Sequence, residues 1–263
     1  MTEAANLSID SRGIATITLN RPDVHNAFDD KLIGHLIGLI TQAKEDARTR
    51  VLLLASTGKS FSAGADLAWM RRMADASRED NLRDARNLAL LMETLNSFPA
   101  PTVAKVQGAV MGGGVGLVSC CDIVIASEAA FFALSEVKLG LAPAAISPYV
   151  VAKMGVSQAR RYFVSGERFT AARAADIGLV HEIVPAAELD AKVGQTLDIL
   201  LVNGPQAMRA AKQLAQVANP LKVTPELAEY TAGVIADLRS SDEGKEGLRA
   251  FLEKSSPAWI NKN

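Results

Sequence analysis

Three consecutive glycines, Gly112-Gly113-Gly114, join a strand-like run, Thr102 to Val110, to an apolar helix-like stretch, Val115 to Cys120. Glycine has no Cβ to block close approach, and the first N–H groups of a helix have no partner within it. Those groups sit at the positive end of the helix dipole. A strand–glycine–helix junction therefore suits negative charge: a phosphate, a carboxylate, or an oxyanion that develops during a reaction.

The alternation of strand and helix continues along most of the chain. Leu7 to Asp10 and Ile14 to Leu19 read as strands around a Ser11-Arg12-Gly13 turn. Leu32, Ile33, Leu36, Ile37 and Ile40 recur at helical spacing after Asp30, and Val51 to Ala55 is a short apolar strand. Ser77 with Asp80 resembles a capping box ahead of the stripe Leu88, Leu91, Met92 and Leu95, which Pro99 and Pro101 end. Asp122 to Ala126 and Leu179 to Val184 are further strands, with helical segments between them. This pattern predicts an α/β architecture with parallel pairing. After Pro185 the texture becomes helical, with stretches at Ala187 to Val202, Pro205 to Val217, Pro225 to Leu238 and Asp242 to Lys254, the last with Ser241 as N-cap. The expected organisation is a core over residues 1–195 and a C-terminal helical region over 196–263.

At 263 residues the chain can bury a full core, and 49% hydrophobic with 22% charged residues is ordinary for a globular protein. A net charge of −1 without a basic block argues against a nucleic-acid partner. Met1 to Asp10 is polar and unlike a signal peptide, and the most apolar window, Thr102 to Cys121, is broken by Lys105, Gln107 and five glycines. That falls short of the roughly 18 uninterrupted apolar residues of a membrane span, so a cytoplasmic protein with no membrane partner is expected. Cys120 and Cys121 are adjacent and cannot staple distant segments; they read as buried free thiols in a reducing compartment.

Gly112, Gly114 and Gly116 offer the G-x-G spacing of a dinucleotide site, and Glu136 lies 22 residues after Gly114. The match is poor, because the third fingerprint position is Leu117 and the motif lies mid-chain. A second small-residue junction, Phe61-Ser-Ala-Gly-Ala-Asp-Leu67, follows the Val51 to Ala55 strand and precedes a helical stretch with Trp69, Met70 and Met73. Asp66 alone reads as an N-cap or turn residue. Two such junctions, each with free N–H groups, can converge on one oxygen.

Phe61 to Leu67, Val106-Gln-Gly-Ala-Val-Met-Gly-Gly-Gly-Val-Gly-Leu117 and Cys121-Asp122-Ile123 together resemble the crotonase (enoyl-CoA hydratase/isomerase) family. The similarity begins at Leu19-Asn-Arg-Pro-Asp-Val-His-Asn-Ala27, includes Ala171 to Val180 and ends at Gly247 to Trp259. The resemblance implies a spiral of ββα units whose helical C-terminal region builds homotrimers, often paired into hexamers. It also implies an acyl-CoA thioester substrate whose carbonyl becomes enolate-like, held by two backbone N–H groups that correspond to Ala65 and Gly113. No separate cofactor is implied, since coenzyme A enters as part of the substrate. Losing one donor of this kind typically costs ~2.7–4 kcal/mol of barrier.

By the same resemblance the acid/base is Glu136, in Phe132-Ala-Leu-Ser-Glu136. A partly desolvated glutamate with a raised pKa can move a proton at the substrate α-carbon or deliver it through water. Two-carboxylate hydratases carry a further glutamate two residues after the triad, where this chain has Gly116. Glu136 then activates water alone, or another polar group or a substrate carboxylate helps it. Otherwise it only shuttles a proton between carbons, as single-glutamate Δ3,Δ2-isomerases do; thioester hydrolysis and decarboxylation are other one-carboxylate outcomes. Leu139-Gly-Leu-Ala-Pro-Ala-Ala-Ile-Ser-Pro-Tyr149 stands where many members have a glycine-rich turn, and is expected to reshape the acyl pocket. Gly114 to Asp122, with Leu134-Ser-Glu-Val-Lys-Leu-Gly140, resembles bacterial methylglutaconyl-CoA hydratase-like members, which act on branched, carboxylated enoyl-CoAs. The expectation is an enoyl-CoA hydratase with such a substrate. Its alternatives are the isomerase and a non-catalytic CoA-binding member.

The implied acyl-CoA site further comprises His25, Ala63, Asp66, Leu67, Met70, Gly112, Gly116, Ser135 and Leu141, with Phe251 and Lys254 from the tail. His25-Asn26-Ala27 matches the family segment near the CoA adenine and ribose, and Phe251 and Lys254 match tail positions that touch CoA, sometimes a neighbouring subunit's. His25, His35 and His181 are too scattered for a triad, and no cluster has metal-ligand spacing, so no metal is implied. His35 reads as structural or exposed, Asp122 as a tie at a strand start, and Trp69, Met70 and Met73 as pocket lining or core.

Overall fold

The computed structural model describes residues 3–74, 76–218 and 242–260. Strands β1 (Ala5–Ile9) and β2 (Ile14–Leu19) form the expected hairpin, in which Asp10 Oδ1 accepts from the N–H groups of Arg12 and Ile14 at 2.9 Å each. From β2 onward the main sheet is parallel: β3 (Val51–Ser56), β4 (Thr102–Val106), β6 (Ile123–Ser127) and β9 (Glu182–Val184) follow in the order β1-β2-β3-β4-β6-β9. A second sheet holds β5 (Ala109–Met111), β7 (Phe131–Ala133) and β8 (Arg168–Thr170), with β7 central.

Helix α1 (Asp30–Glu45) starts where Asp29 Oδ1 accepts from Leu32 N–H at 2.7 Å, and buries Leu32, Ile33, Leu36, Leu39 and Ile40. Helix α2 (Leu67–Ala74) is short, and α3 (Arg78–Asn96) is capped as expected by Ser77, whose Oγ accepts from Asp80 N–H at 3.1 Å. Helix α4 (Gly113–Cys120) is almost wholly buried, and α5 (Ser147–Ser165) bends at Gly155, where φ is +73°. A short α6 (Ala171–Asp176) precedes α7 (Leu189–Leu201). One core joins α1, α3, α4 and α5 to one face of the main sheet. On the other face Leu189, Val193 and Leu197 of α7 pack on Ile14, Val51, Val103 and Ile125. Position 195, where the core was expected to give way to the C-terminal region, lies within α7 between two of these sheet-facing residues.

Two expectations need correction. The Thr102 to Val110 run is not one strand: it breaks at Gln107-Gly108 and passes from the main sheet to the small one. Gly108 makes the transfer possible, with φ +59° and an approach to Lys59 in which a Cβ would overlap the carbonyl oxygen. Leu179 and Val180 are not in a strand either. Their N–H groups both donate to Ala174 O, at 2.9 and 3.2 Å, so they close the turn after α6 with apolar side chains buried. Helix α8 (Pro205–Val217) matches its expected limits, and α9 (Asp242–Leu252) ends two residues early. Pro225 to Leu238 and Ser241 lie outside the described residues. Lys212 ties α8 to the core, its Nζ 2.7 Å from Asp122 Oδ2 and 3.3 Å from Ala100 O.

Candidate active site

The two small-residue junctions lie edge to edge. Ser62 N–H donates to Ala109 O at 3.1 Å and Met111 N–H donates to Ser62 O at 2.9 Å, closing a parallel bridge between Ser62 and Val110. Gly64 has φ +86°, and a Cβ there would stand 3.1 Å from Met111 O; one on Gly114 would stand 3.1 Å from Ser62 Cβ. Phe28 touches both junctions. Its N–H donates to Gly64 O and its carbonyl accepts from Asp66 N–H, both at 2.7 Å, and its ring edge would lie 2.8 Å from a Cβ on Gly113. Ala65, between Gly64 and Asp66, is exposed, and Gly113 opens α4 half-buried. Among the described residues, no group accepts from the N–H of Ala65 or of Gly113.

Glu136 reaches the same glycines from the third segment. The strand β7 ends at Ala133, whose carbonyl accepts from Gly112 N–H at 3.0 Å, and the chain then forms a 3-10 turn over Glu136–Leu139 after Ser135. Lys138 N–H donates to Ser135 O, and Leu141 N–H to Glu136 O, both at 3.0 Å. The Glu136 Oε1 atom lies 3.0 Å from the Cβ position of Gly112, which itself sits at φ +48°. Its Oε2 is buried without a hydrogen-bond partner among the described residues. Burial raises the Glu136 carboxyl above its ordinary pKa, against a hydrogen bond from its own N–H that pulls the other way. A carboxylate with one unengaged oxygen, held against Gly112 next to the unpaired Gly113 N–H, can exchange a proton with a carbon acid or a water molecule.

One helical turn further along α4, the surroundings are apolar. Gly116 N–H bonds back to Gly112 O at 3.2 Å, and a Cβ on Gly116 would meet Ile146 Cγ2 at 2.4 Å and Met92 Sδ at 3.1 Å. Ile146 stands at the head of α5 and is buried, whereas Leu139 and Leu141 of the same loop are exposed and Tyr149 is half-buried.

The other expected residues divide. His25 and Asn26 both take left-handed backbone, with φ +53° and +55°. The His25 carbonyl accepts from Ala63 N–H at 2.9 Å, and its Nδ1 lies 3.1 Å from Ser60 Oγ. Asp66 caps α2, accepting from Ala68 and Trp69 N–H at 2.9 and 3.3 Å. Leu67 projects into solvent, Met70 is half-buried, Trp69 belongs to the core and Met73 packs against it. Lys254 is exposed in the turn after α9, and none of the described contacts joins it to the junctions; Phe251 lies in α9, its side chain outside the described set. His35 Nε2 lies 2.9 Å from Ala5 O, and His181 Nδ1 accepts from Val124 N–H at 2.9 Å, so both are structural. Asp122 ties a strand start by accepting from Thr102 N–H and Oγ1. Cys120 and Cys121 are buried free thiols, and burial pushes Cys121 up to about 12. Among the described residues no group of three or more acidic, histidine or cysteine side chains has metal-binding spacing, and no helix is long and apolar enough to cross a membrane.

Arg21, Phe28 and Ile146 carry no periodic signal and were not singled out in the sequence. Arg21 lies within the Leu19 to Ala27 segment, Phe28 directly follows it, and Ile146 lies within the Leu139 to Tyr149 run, which are the clues the sequence offers.

Residues 10–262 match the model of the family described as enoyl-CoA hydratase/isomerase. An enoyl-CoA hydratase structure from Shewanella pealeana shares 45% identity and superimposes with a TM-score of 0.94, over 98% of this chain and 96% of that one. The 2,3-dehydroadipyl-CoA hydratase of Escherichia coli is 31% identical over 245 residues, covering 93% of this chain and 94% of its own. A trans-2-decenoyl-[acyl-carrier-protein] isomerase of Streptococcus mutans is 29% identical over 252 residues, covering 95% of each. Paired small-residue junctions beside a half-buried glutamate, on this sheet arrangement, are thus found in a chain that belongs to the enoyl-CoA hydratase/isomerase, or crotonase, family.

Proposed function

We propose that this protein is an enoyl-CoA hydratase acting on a branched, methylglutaconyl-like acyl-CoA. The N–H groups of Ala65 and Gly113 hold the thioester oxygen as negative charge develops on it. Glu136 takes a proton from water as the water oxygen bonds to the β-carbon, and returns a proton to the α-carbon as the enolate collapses. The observation that carries this reading is the buried Glu136 Oε2, unpartnered among the described residues, with its carboxyl held above the ordinary range. His25, Ala63, Asp66, Leu67, Met70, Gly112, Gly116, Ser135 and Leu141 line the thioester and CoA path, and Phe251 and Lys254 contribute from the tail. The protein works in the cytoplasm as a homotrimer or a dimer of trimers; exposed Ile199 and Val202 at the end of α7 support a subunit contact there.

The apolar seat at Gly116 favours a second reading, in which Glu136 only moves a proton between the α- and γ-carbons as a Δ3,Δ2-enoyl-CoA isomerase. Trans-2-enoyl and 3-enoyl thioesters assayed side by side separate the two. Loss of enoyl absorbance from 3-methylglutaconyl-CoA with formation of a hydroxyacyl-CoA supports the hydratase. Conversion of the 3-enoyl substrate with no hydration of the 2-enoyl one replaces it with the isomerase.

A further inference from the structure

One guanidinium joins the caps of two helices beside the proposed oxygen-binding N–H of Ala65. Asp29 uses Oδ1 to cap α1, and Asp66 uses Oδ1 to cap α2. Each leaves Oδ2 for Arg21, whose Nη1 lies 3.1 Å from Asp29 and whose Nη2 lies 3.1 Å from Asp66. Nη1 also donates to Ala27 O at 2.8 Å. All three side chains are largely shielded, with Asp66 at 13% and Arg21 at 23% exposure.

The backbone of Arg21 is fixed as firmly. Its N–H donates to Asn26 Oδ1 at 2.8 Å, and the fully buried Asn26 donates through Nδ2 to Thr57 O and Ser60 O at 2.8 and 2.9 Å. Asn26 O accepts from Ser62 Oγ at 2.9 Å, and that Oγ accepts from Gly64 N–H at 3.2 Å. Ala65 is therefore gripped on both sides: Gly64 through Ser62 and Asn26, Asp66 through Arg21. His25 and Asn26 hold left-handed backbone, which non-glycine residues keep only where the surroundings fix them.

We infer that Arg21 is a positioning residue that sets the direction of the Ala65 N–H, and through it the polarisation of a bound thioester carbonyl. The inference rests on the acyl-CoA reading above. A planar fork is required, because a lysine ammonium is a point charge and does not span two carboxylates in one geometry.

The test is isotope-edited infrared spectroscopy of butyryl-CoA labelled with carbon-13 at the thioester carbonyl, which has no double bond to hydrate. The unaltered protein is expected to shift the bound carbonyl to lower frequency than in water. Arg21→Gln and Arg21→Lys are expected to lose half or more of that shift while binding butyryl-CoA within about 3-fold of the unaltered affinity. On the enoyl substrate kcat falls about 10–100-fold with little change in KM, the pattern of a misplaced donor. Asp66→Asn keeps an N-cap oxygen and removes the charge, so it is expected to lose the same shift, and it carries the test if the Arg21 variants do not fold. A full carbonyl shift in folded Arg21→Gln or in Asp66→Asn overturns the positioning role and leaves the oxyanion reading standing. Absence of any shift in the unaltered protein overturns both.

Discussion

Ile146 Cγ2 lies 2.4 Å from the point where a side chain on Gly116 would begin. The head of α5 and the middle of α4 interlock there, with Met92 Sδ closing the same space at 3.1 Å. Alanine ordinarily stabilises a helix interior by about 1 kcal/mol over glycine. Here the overlap reverses the sign, because a close-packed core resists insertion at about 1–3 kcal/mol. Gly116→Ala is expected to melt lower, and Gly116→Ala with Ile146→Leu, which takes away the overlapping Cγ2 branch at about equal volume, to recover part of the loss. Thermal unfolding of the two variants checks this.

Glu136→Gln is expected to lower kcat by at least about 100-fold, since the proposed proton-transfer group is gone while its shape remains. The same change has a stability signature. The folded protein holds this carboxyl above its usual 4.5, so it favours folding below that pH and weighs against it as pH rises through the raised value. Glutamine removes the titration, so the variant melts higher than the unaltered protein at pH 8, and the difference shrinks toward pH 4. For a chain near this size each kcal/mol relieved moves Tm by about 2–4 °C. Melting curves at the two pH values report the sign.

Gly108→Ala is expected to be among the most damaging single substitutions. The position needs φ +59° and a backbone approach to Lys59 that leaves no space for a methyl group. The cost falls on the transfer between sheets, so thermal stability and enoyl-CoA turnover fall together.

Lys212→Met is expected to loosen α8 from the sheet. Its ammonium is shielded against Asp122, whose carboxylate also takes two bonds from Thr102. Removing one partner leaves the other charge poorly solvated, at about 1–3 kcal/mol. A double-mutant cycle with Asp122→Asn, read by urea denaturation, is expected to show coupling between the two.

Much of the fold was legible because long amphipathic periods announce themselves: α1 starts at Asp30 as its stripe predicts, α3 follows the Ser77 cap, and α8 has both its limits in sequence. Three-residue strands such as β7 and β8 carry too little alternation to be recognised. The Thr102 to Val110 run looked continuous because hydrophobicity does not record a change of sheet; Gly108 does, through the conformation only glycine adopts cheaply there. At the site, the glycines could be singled out because their residue type suits the chemistry, and Glu136 because of its place in the family resemblance. Arg21 and Ile146 could not, since their importance lies in partners far along the chain: Asp66 for one and Gly116 for the other.

The bridge between Ser62 and Val110 has a consequence for how the chain becomes competent. Parallel pairing of segments distant in sequence must wait for a long loop to close, whereas α1 and α3 are built from local contacts. During refolding the helical signal therefore recovers before the two junctions meet. Turnover is expected to be acquired last, once the two glycine loops are paired and their N–H groups are aimed together.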